Sequence, residues 1–227
     1  MPSNELARAM ALPGLLFDFD GPVCDVFAGL PAPQVAHELK ELVASCLPSA
    51  RVDVEATDDP LVVMSVAYKA GPQLGAEIER ALMAAEVAAV AVAGDPTPGA
   101  VQSLREARAV GRRVAVVSNN SAECVHAFLE RQAIGHYVDH IVGRPSGQPD
   151  LMKPEPFSLH KAADLLGLQV SECAMIGDSL TDIQAAHAAG TIVVGYANKP
   201  RKRQAFVEAG ADCIVDGMDE IASALRP

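Results

Sequence analysis

Leu12-Pro13-Gly14-Leu15-Leu16-Phe17-Asp18-Phe19-Asp20-Gly21-Pro22 is an apolar run that ends in two acids. A run that is apolar at consecutive rather than alternate positions suits a strand covered on both faces. Two residues apart on an extended strand, Asp18 and Asp20 point the same way. Gly21 and Pro22 cannot easily continue the strand, so the pair stands where it gives out. Like charges placed together repel, and the fold gains nothing from them unless a cation sits between. The stretch reads as a strand with a site at its carboxyl end.

Working outward, the same kind of run recurs at residues 114–118, 140–142, 173–176, 191–196 and 213–215, beside the first at 14–19. Helical patterns fall between them at 99–110, 122–132, 156–166, 182–189, 203–209 and 218–225. This alternation predicts a doubly wound parallel α/β sheet. In such sheets ligands bind outside the carboxyl ends of the strands, where Asp18 and Asp20 fall. One interval breaks the rhythm. About ninety residues separate the first two strands, far more than a crossover needs. Residues 32–46, 61–70 and 73–92 read as helices punctuated by Pro48, Pro60 and Gly71-Pro72. The last is rich in Ala, with Leu74, Ile78, Leu82 and Ala85 on one face at the spacing of a packed helix. The expected organisation is a discontinuous core of residues 1–26 and 95–227, with a helical insertion of residues 27–94 placed to cover the site.

Composition limits the function. The 227 residues carry a formal charge of −11, which argues against general nucleic-acid binding or an anionic membrane surface. Half the residues are hydrophobic and none is Trp, so Ala, Val, Leu and Ile must build the core. Cys24, Cys46, Cys124, Cys173 and Cys213 show no metal-like spacing and read as reduced thiols. No stretch has the length of a membrane span or the pattern of a signal peptide. The expected location is the cytoplasm.

Three further segments carry chemistry. Val116-Val117-Ser118-Asn119-Asn120-Ser121 places a hydroxyl at a strand end beside the opening of a helix, where an anion can bind, although Asn120 or Ser121 could simply cap that helix. Lys153 precedes Pro154 at a loop–helix junction. Ile176-Gly177-Asp178-Ser179-Leu180-Thr181-Asp182 sets two acids four apart at a helix start, where one serves as a cap and the second is less easily explained. Arg144, just after the third strand, is a candidate substrate contact, and Arg51, Tyr68 and Lys69 are weaker ones. Four carboxylates, a hydroxyl and a lysine at successive strand ends amount to a site for Mg²⁺ and a phosphoryl group.

In these motifs the chain resembles the haloacid dehalogenase (HAD) superfamily, on its phosphatase side, in the phosphoglycolate-phosphatase-like branch with a small helical cap. Asp18-Phe19-Asp20-Gly21 matches the first motif, Ser118 the second, Lys153 the family lysine, and Gly177 to Asp182 the GDxxxD motif. The resemblance implies a Mg²⁺-dependent phosphatase for a small phosphorylated metabolite. In it Asp18 is the nucleophile that forms an aspartyl-phosphate, and Asp20 is the acid that later becomes the base. Ser118, the Asn119 amide and Lys153 bind phosphoryl oxygens. The metal is held by Asp18, the Asp20 carbonyl and Asp178, with Asp182 acting directly or from behind. Pro22 departs from the usual Thr, which implies a changed support for the turn. Two alternatives stay open: a sugar-phosphate mutase with the same aspartyl-phosphate chemistry, and a non-catalytic phospho-acceptor module.

Overall fold

The computed structural model describes residues 3–50 and 54–226. Six parallel strands form one sheet: β1 (Gly14–Asp18), β2 (Arg113–Val117), β3 (His140–Val142), β4 (Cys173–Gly177), β5 (Ile192–Tyr196) and β6 (Cys213–Val215), in the order β3-β2-β1-β4-β5-β6. Every strand matches a predicted run to within one residue at either end. All five residues of β1 are buried, as a strand covered on both faces requires.

Side chains alternate across the sheet. Leu15 and Phe17 join the core on one face, where Phe19 packs edge-on against Phe128 with ring centroids 5.5 Å apart. Leu16, Ala115, Val117 and Met175 join the core on the other. The helices that cover the sheet are α5 (Ala100–Ala109), α6 (Ala122–Arg131), α7 (Phe157–Leu166), α8 (Leu180–Ala189), α9 (Pro200–Glu208) and α10 (Met218–Leu225). A further helix, α1 (Asn4–Met10), precedes β1 and buries Leu6, Ala9 and Met10. Sequence periodicity does not announce it, because seven residues span only two turns. Its start is nevertheless marked by Ser3, whose hydroxyl accepts the Leu6 N–H.

Between β1 and β2 stand α2 (Ala32–Cys46), α3 (Pro60–Ala70) and α4 (Pro72–Val92). They enclose a core of their own, built from Val35, Leu39, Val63, Met64, Ile78 and Leu82. Helix α4 does not stay within it. Ala89 and Val90, in its last turns, belong to the core beneath the sheet. One rigid helix thus runs from the helical insertion into the α/β body. No helix of the described residues is long and apolar enough to cross a membrane.

Candidate active site

Register brings the site together. Asp18 lies opposite Val117, and Phe17 opposite Ile176, so the ends of β1, β2 and β4 are neighbours. Asp18, Asp20, Ser118, Asn119, Lys153 and Asp178 therefore line one cavity of about 450 Å³. Phe27, Pro33, Leu61 and Leu82 close its far wall from the helical insertion. Asp18 points to the same face as Leu16, and on that face Lys153 stands before α7 and Asp182 within α8.

Lys153 Nζ lies 2.8 Å from Asp18 Oδ1 and 2.6 Å from Asp182 Oδ1, and it donates to the Val117 carbonyl at 3.3 Å. Asp18 Oδ1 also accepts the Phe19 N–H at 2.7 Å, so among the described residues both polar contacts of Asp18 fall on one oxygen. Burial pushes the Asp18 carboxyl well above its ordinary range, the charges of Asp182 and Asp178 push the same way, and Lys153 opposes them. For Lys153, burial pulls downward, yet the two carboxylates outweigh it and hold the ammonium charged. The Asn119 side chain fixes this lysine's backbone by donating to its carbonyl at 3.0 Å and accepting its N–H at 2.9 Å.

Asp20 stands beyond the strand, and its carboxylate accepts the Val26 N–H at 3.0 Å. Burial raises it to about 6, against that hydrogen bond and with help from the charges of Asp178 and Asp25. Gly21, at φ 101°, makes the turn, and a Cβ there would lie 2.4 Å from Asp178 Cγ. Two constraints thus select glycine, the left-handed backbone and the closeness of an acid. The neighbouring Pro22 gives the turn no hydroxyl. Thr97, after the helical insertion, instead donates its hydroxyl to the Gly21 carbonyl at 2.6 Å.

The second acidic motif differs from its expected shape. Helix α8 opens at Leu180 with Ser179 as its cap, so Asp178 lies before the helix and the two acids are not neighbours on one helical face. Asp182 is fully buried. Its Oδ2 accepts the N–H groups of Asp178 and Ser179 and the Ser179 hydroxyl, while Oδ1 takes Lys153. Both oxygens are engaged, which sets Asp182 behind the site rather than open to a metal. Gly177 leaves room for it, since a Cβ there would come within 2.4 Å of the Asp182 side chain.

Asp178 is raised by burial and held down by Lys202 and Asn198. Lys202 Nζ lies 2.5 Å from its Oδ2 and donates to its carbonyl at 2.7 Å, and Asn198 donates to Oδ2 at 2.9 Å. Neither residue is singled out by motif reading. The available signal is the basic run Lys199-Pro200-Arg201-Lys202-Arg203 at the start of α9, the end of a helix that disfavours cations.

Arg144 is not brought to the cavity. Its guanidinium is buried against Glu86 of α4, with Glu79 nearby. Glu86, fully buried, goes unnoticed in the sequence although it stands four residues after Leu82 on an apolar stripe. Ser121 caps α6 by accepting the Cys124 N–H, as the plainer reading of its segment expects. Tyr68 donates to Glu79 at 2.5 Å and Lys69 is exposed at a helix end, whereas Arg51 lies outside the described residues. The four acids Asp18, Asp20, Asp178 and Asp182 share the site with only two ammonium groups among the described residues, those of Lys153 and Lys202. Oxygens of Asp18, Asp178 and Asp182 lie within 4.8 Å of one another. Of these, Asp18 and Asp178, with Asp182 engaged behind them, make a hard-oxygen set with surplus negative charge that fits a divalent cation.

Comparison with known proteins agrees with this geometry. A phosphoglycolate phosphatase of Pectobacterium atrosepticum is 30% identical over 242 aligned positions, covering 95% of this chain and 93% of that protein. A plasmid-encoded phosphoglycolate phosphatase of Cupriavidus necator is 32% identical over 138, covering 59% of this chain and 57% of that protein. Among solved structures, CbbY of Rhodobacter sphaeroides in complex with phosphate superposes with a TM-score of 0.67 at 22% identity, covering 94% of this chain and 99% of that one, which is a likeness of fold. The model of the haloacid dehalogenase-like hydrolases matches residues 12–190. With its motif residues gathered at three adjoining strand ends, the chain belongs to the haloacid dehalogenase-like hydrolase family.

Proposed function

We propose that this protein is a Mg²⁺-dependent phosphatase that hydrolyses a small phosphorylated metabolite through an aspartyl-phosphate at Asp18. The observation that carries the reading is the setting of Asp18. It is a buried carboxylate pinned through Oδ1 by Lys153 and the Phe19 N–H, in a cavity shared with Asp20, Ser118 and Asp178. Oδ2 is then the oxygen left to attack phosphorus.

In the first step a bond forms from Asp18 Oδ2 to phosphorus as the bond to the leaving oxygen breaks, and Asp20 gives that oxygen its proton. A carboxyl raised to about 6 retains a proton more readily than an ordinary aspartate, which suits the acid's part. In the second step Asp20 takes a proton from water. The water attacks phosphorus, the bond to Asp18 breaks, and inorganic phosphate leaves. Ser118 and the Asn119 N–H bind phosphoryl oxygens, and Lys153 offsets their charge. Positioning and electrostatics of this kind supply most of the catalysis in phosphoryl transfer. Mg²⁺ would be held by Asp18, the Asp20 carbonyl and Asp178, and would neutralise charge developing on the phosphoryl group. Asp182 supports it indirectly by orienting Lys153 and the Asp178 backbone. Residues 27–94 act as a cap that walls the cavity with Phe27, Pro33, Leu61 and Leu82 and with the acids Asp58, Asp59 and Glu86.

The test is phosphate release from a panel of monoesters with Mg²⁺ present. 2-Phosphoglycolate is included because two relatives carry that activity in their names, and xylulose 1,5-bisphosphate because CbbY is solved with it. Hydrolysis of at least one member, abolished by EDTA and by Asp18→Asn, is expected. Hydrolysis of none overturns the reading, and isomerised phosphate in ³¹P NMR would mark a mutase instead.

A further inference from the structure

A second buried ion pair, of which Glu86 lines the same cavity and Arg144 stands behind it, is not used by the chemistry above. Glu86 has no exposed surface, and the Arg144 side chain is 1% exposed. Arg144 Nη1 lies 2.8 Å from Glu86 Oε1, and Nη2 lies 3.3 Å from Oε2. As a stabilising device this is a poor choice, because a buried pair of charges loses in desolvation much of what it gains by attraction. What distinguishes it is the set of remaining partners. Glu86 Oε1 accepts the Asn120 side-chain amide at 3.2 Å, and Oε2 accepts the Ser121 N–H at 3.0 Å. Arg144 Nη1 donates to the Asn119 carbonyl at 2.9 Å, and the Arg144 N–H donates to the Asn120 carbonyl at 2.8 Å. Asn120 in turn donates its N–H to Ser118 Oγ at 3.0 Å.

Every residue from Ser118 to Ser121 is thereby fixed, directly or through one neighbour, by the same two side chains. We infer that Glu86 and Arg144 are positioning residues for the phosphate-binding loop 118–121, setting the Ser118 hydroxyl and the Asn119 N–H for the phosphoryl group. Glu86 stands where α4 passes from the core of the helical insertion into that of the α/β body, so the loop takes its geometry from the seating of that helix. The inference rests on the phosphatase reading, since it assigns the loop a phosphoryl group to bind.

The experiment compares Glu86→Gln, Arg144→Lys and the double variant Glu86→Gln/Arg144→Met with the wild type. It measures binding of inorganic phosphate and of Mg²⁺ by titration calorimetry, turnover of p-nitrophenyl phosphate, and melting temperature. The double variant leaves neither member of the buried pair charged. Glu79, which is more exposed and keeps its bonds to Tyr68 and the Gly147 N–H, loses only the more distant contact, so the variant melts nearer the wild type than Arg144→Met alone. Its phosphate affinity and kcat/KM fall about tenfold or more, as expected for a misplaced binding loop, while its Mg²⁺ affinity stays within about twofold. Arg144→Lys keeps the charge without the fork and falls between. A double variant that melts, binds phosphate and turns over like the wild type overturns the inference and leaves the phosphatase reading standing. If the double variant does not fold, Glu86→Gln decides: unchanged phosphate affinity overturns the inference. A wild type that neither binds phosphate nor hydrolyses any ester overturns both.

Discussion

Two buried centres flank the loop after β2, each a cation between two carboxylates, and they are built to opposite ends. In one, Lys153 stands between Asp18 and Asp182; in the other, Arg144 stands between Glu86 and Glu79. The lysine is a compact point charge, and Asp18 meets it through one oxygen at the edge of a cavity. The arginine is a planar fork, and Glu86 meets it and the loop through both oxygens. A carboxylate with an oxygen left over can react. One whose lone pairs are all claimed can only hold. The same ingredients thus give a nucleophile on one side of the loop and a clamp on the other, and hydrogen-bond saturation rather than charge separates them.

The sharpest way to break this contrast is to neutralise each carboxylate. Asp18→Asn is expected to lower kcat by about 10³-fold or more, by analogy with other lost nucleophiles. Glu86→Gln, measured in the same steady-state assay, should leave turnover readily detectable. Removing divalent metal comes next. EDTA should abolish phosphate release, excess Mg²⁺ should restore it, and the melting temperature should rise with Mg²⁺ by mass action. That stabilisation approaches about 2.7 kcal/mol when Mg²⁺ reaches a hundred times its dissociation constant. Deleting one cation at a time strands buried acids at either centre. Lys153→Met and Arg144→Met should each cost about 3–5 kcal/mol of stability in denaturant titrations. Only the second loss should be largely recovered when its closer partner Glu86 is also neutralised, Glu79 being more exposed, because Asp182 retains its capping bonds and cannot be made apolar freely. The smallest effect belongs to the turn that follows Asp20. Thr97→Val removes one hydrogen bond to the Gly21 carbonyl and should cost about 1 kcal/mol.

The two centres also differ in how well sequence reveals them. Asp18, Ser118 and Asp178 sit at the ends of apolar runs, and parallel pairing brings such ends together, so their meeting follows from a pattern of strands. Lys153 was legible through its place before Pro154 and a helix. Asp182 was legible as an acid near that edge, but its engagement by the Ser179 cap and Lys153 depends on where α8 opens, two residues before the predicted start. The Glu86–Arg144 pair joins a helix of the insertion to a loop after β3, and no local period records such an approach. Its one sequence signal is an acid on the apolar stripe of Ile78 and Leu82, a position that burial makes expensive for a lone charge. The place of Arg144 at the sheet edge suggests a substrate contact, whereas the direction its side chain takes is set by Glu86. No local pattern marks Thr97 or Lys202 either, since each acts on a residue distant in sequence.

The central claim is that Asp18 carries the phosphoryl group during turnover. The most direct measurement quenches the enzyme while it turns over substrate with Mg²⁺, reduces any acyl phosphate with borohydride, and locates the resulting homoserine by peptide mass spectrometry. The Asp20→Asn variant lacks the acid of the first step as well as the base of the second, so it should accumulate the intermediate from p-nitrophenyl phosphate, whose leaving group departs without a proton. Homoserine at position 18 is the expected result, and its absence there while phosphate is being released would contradict the account.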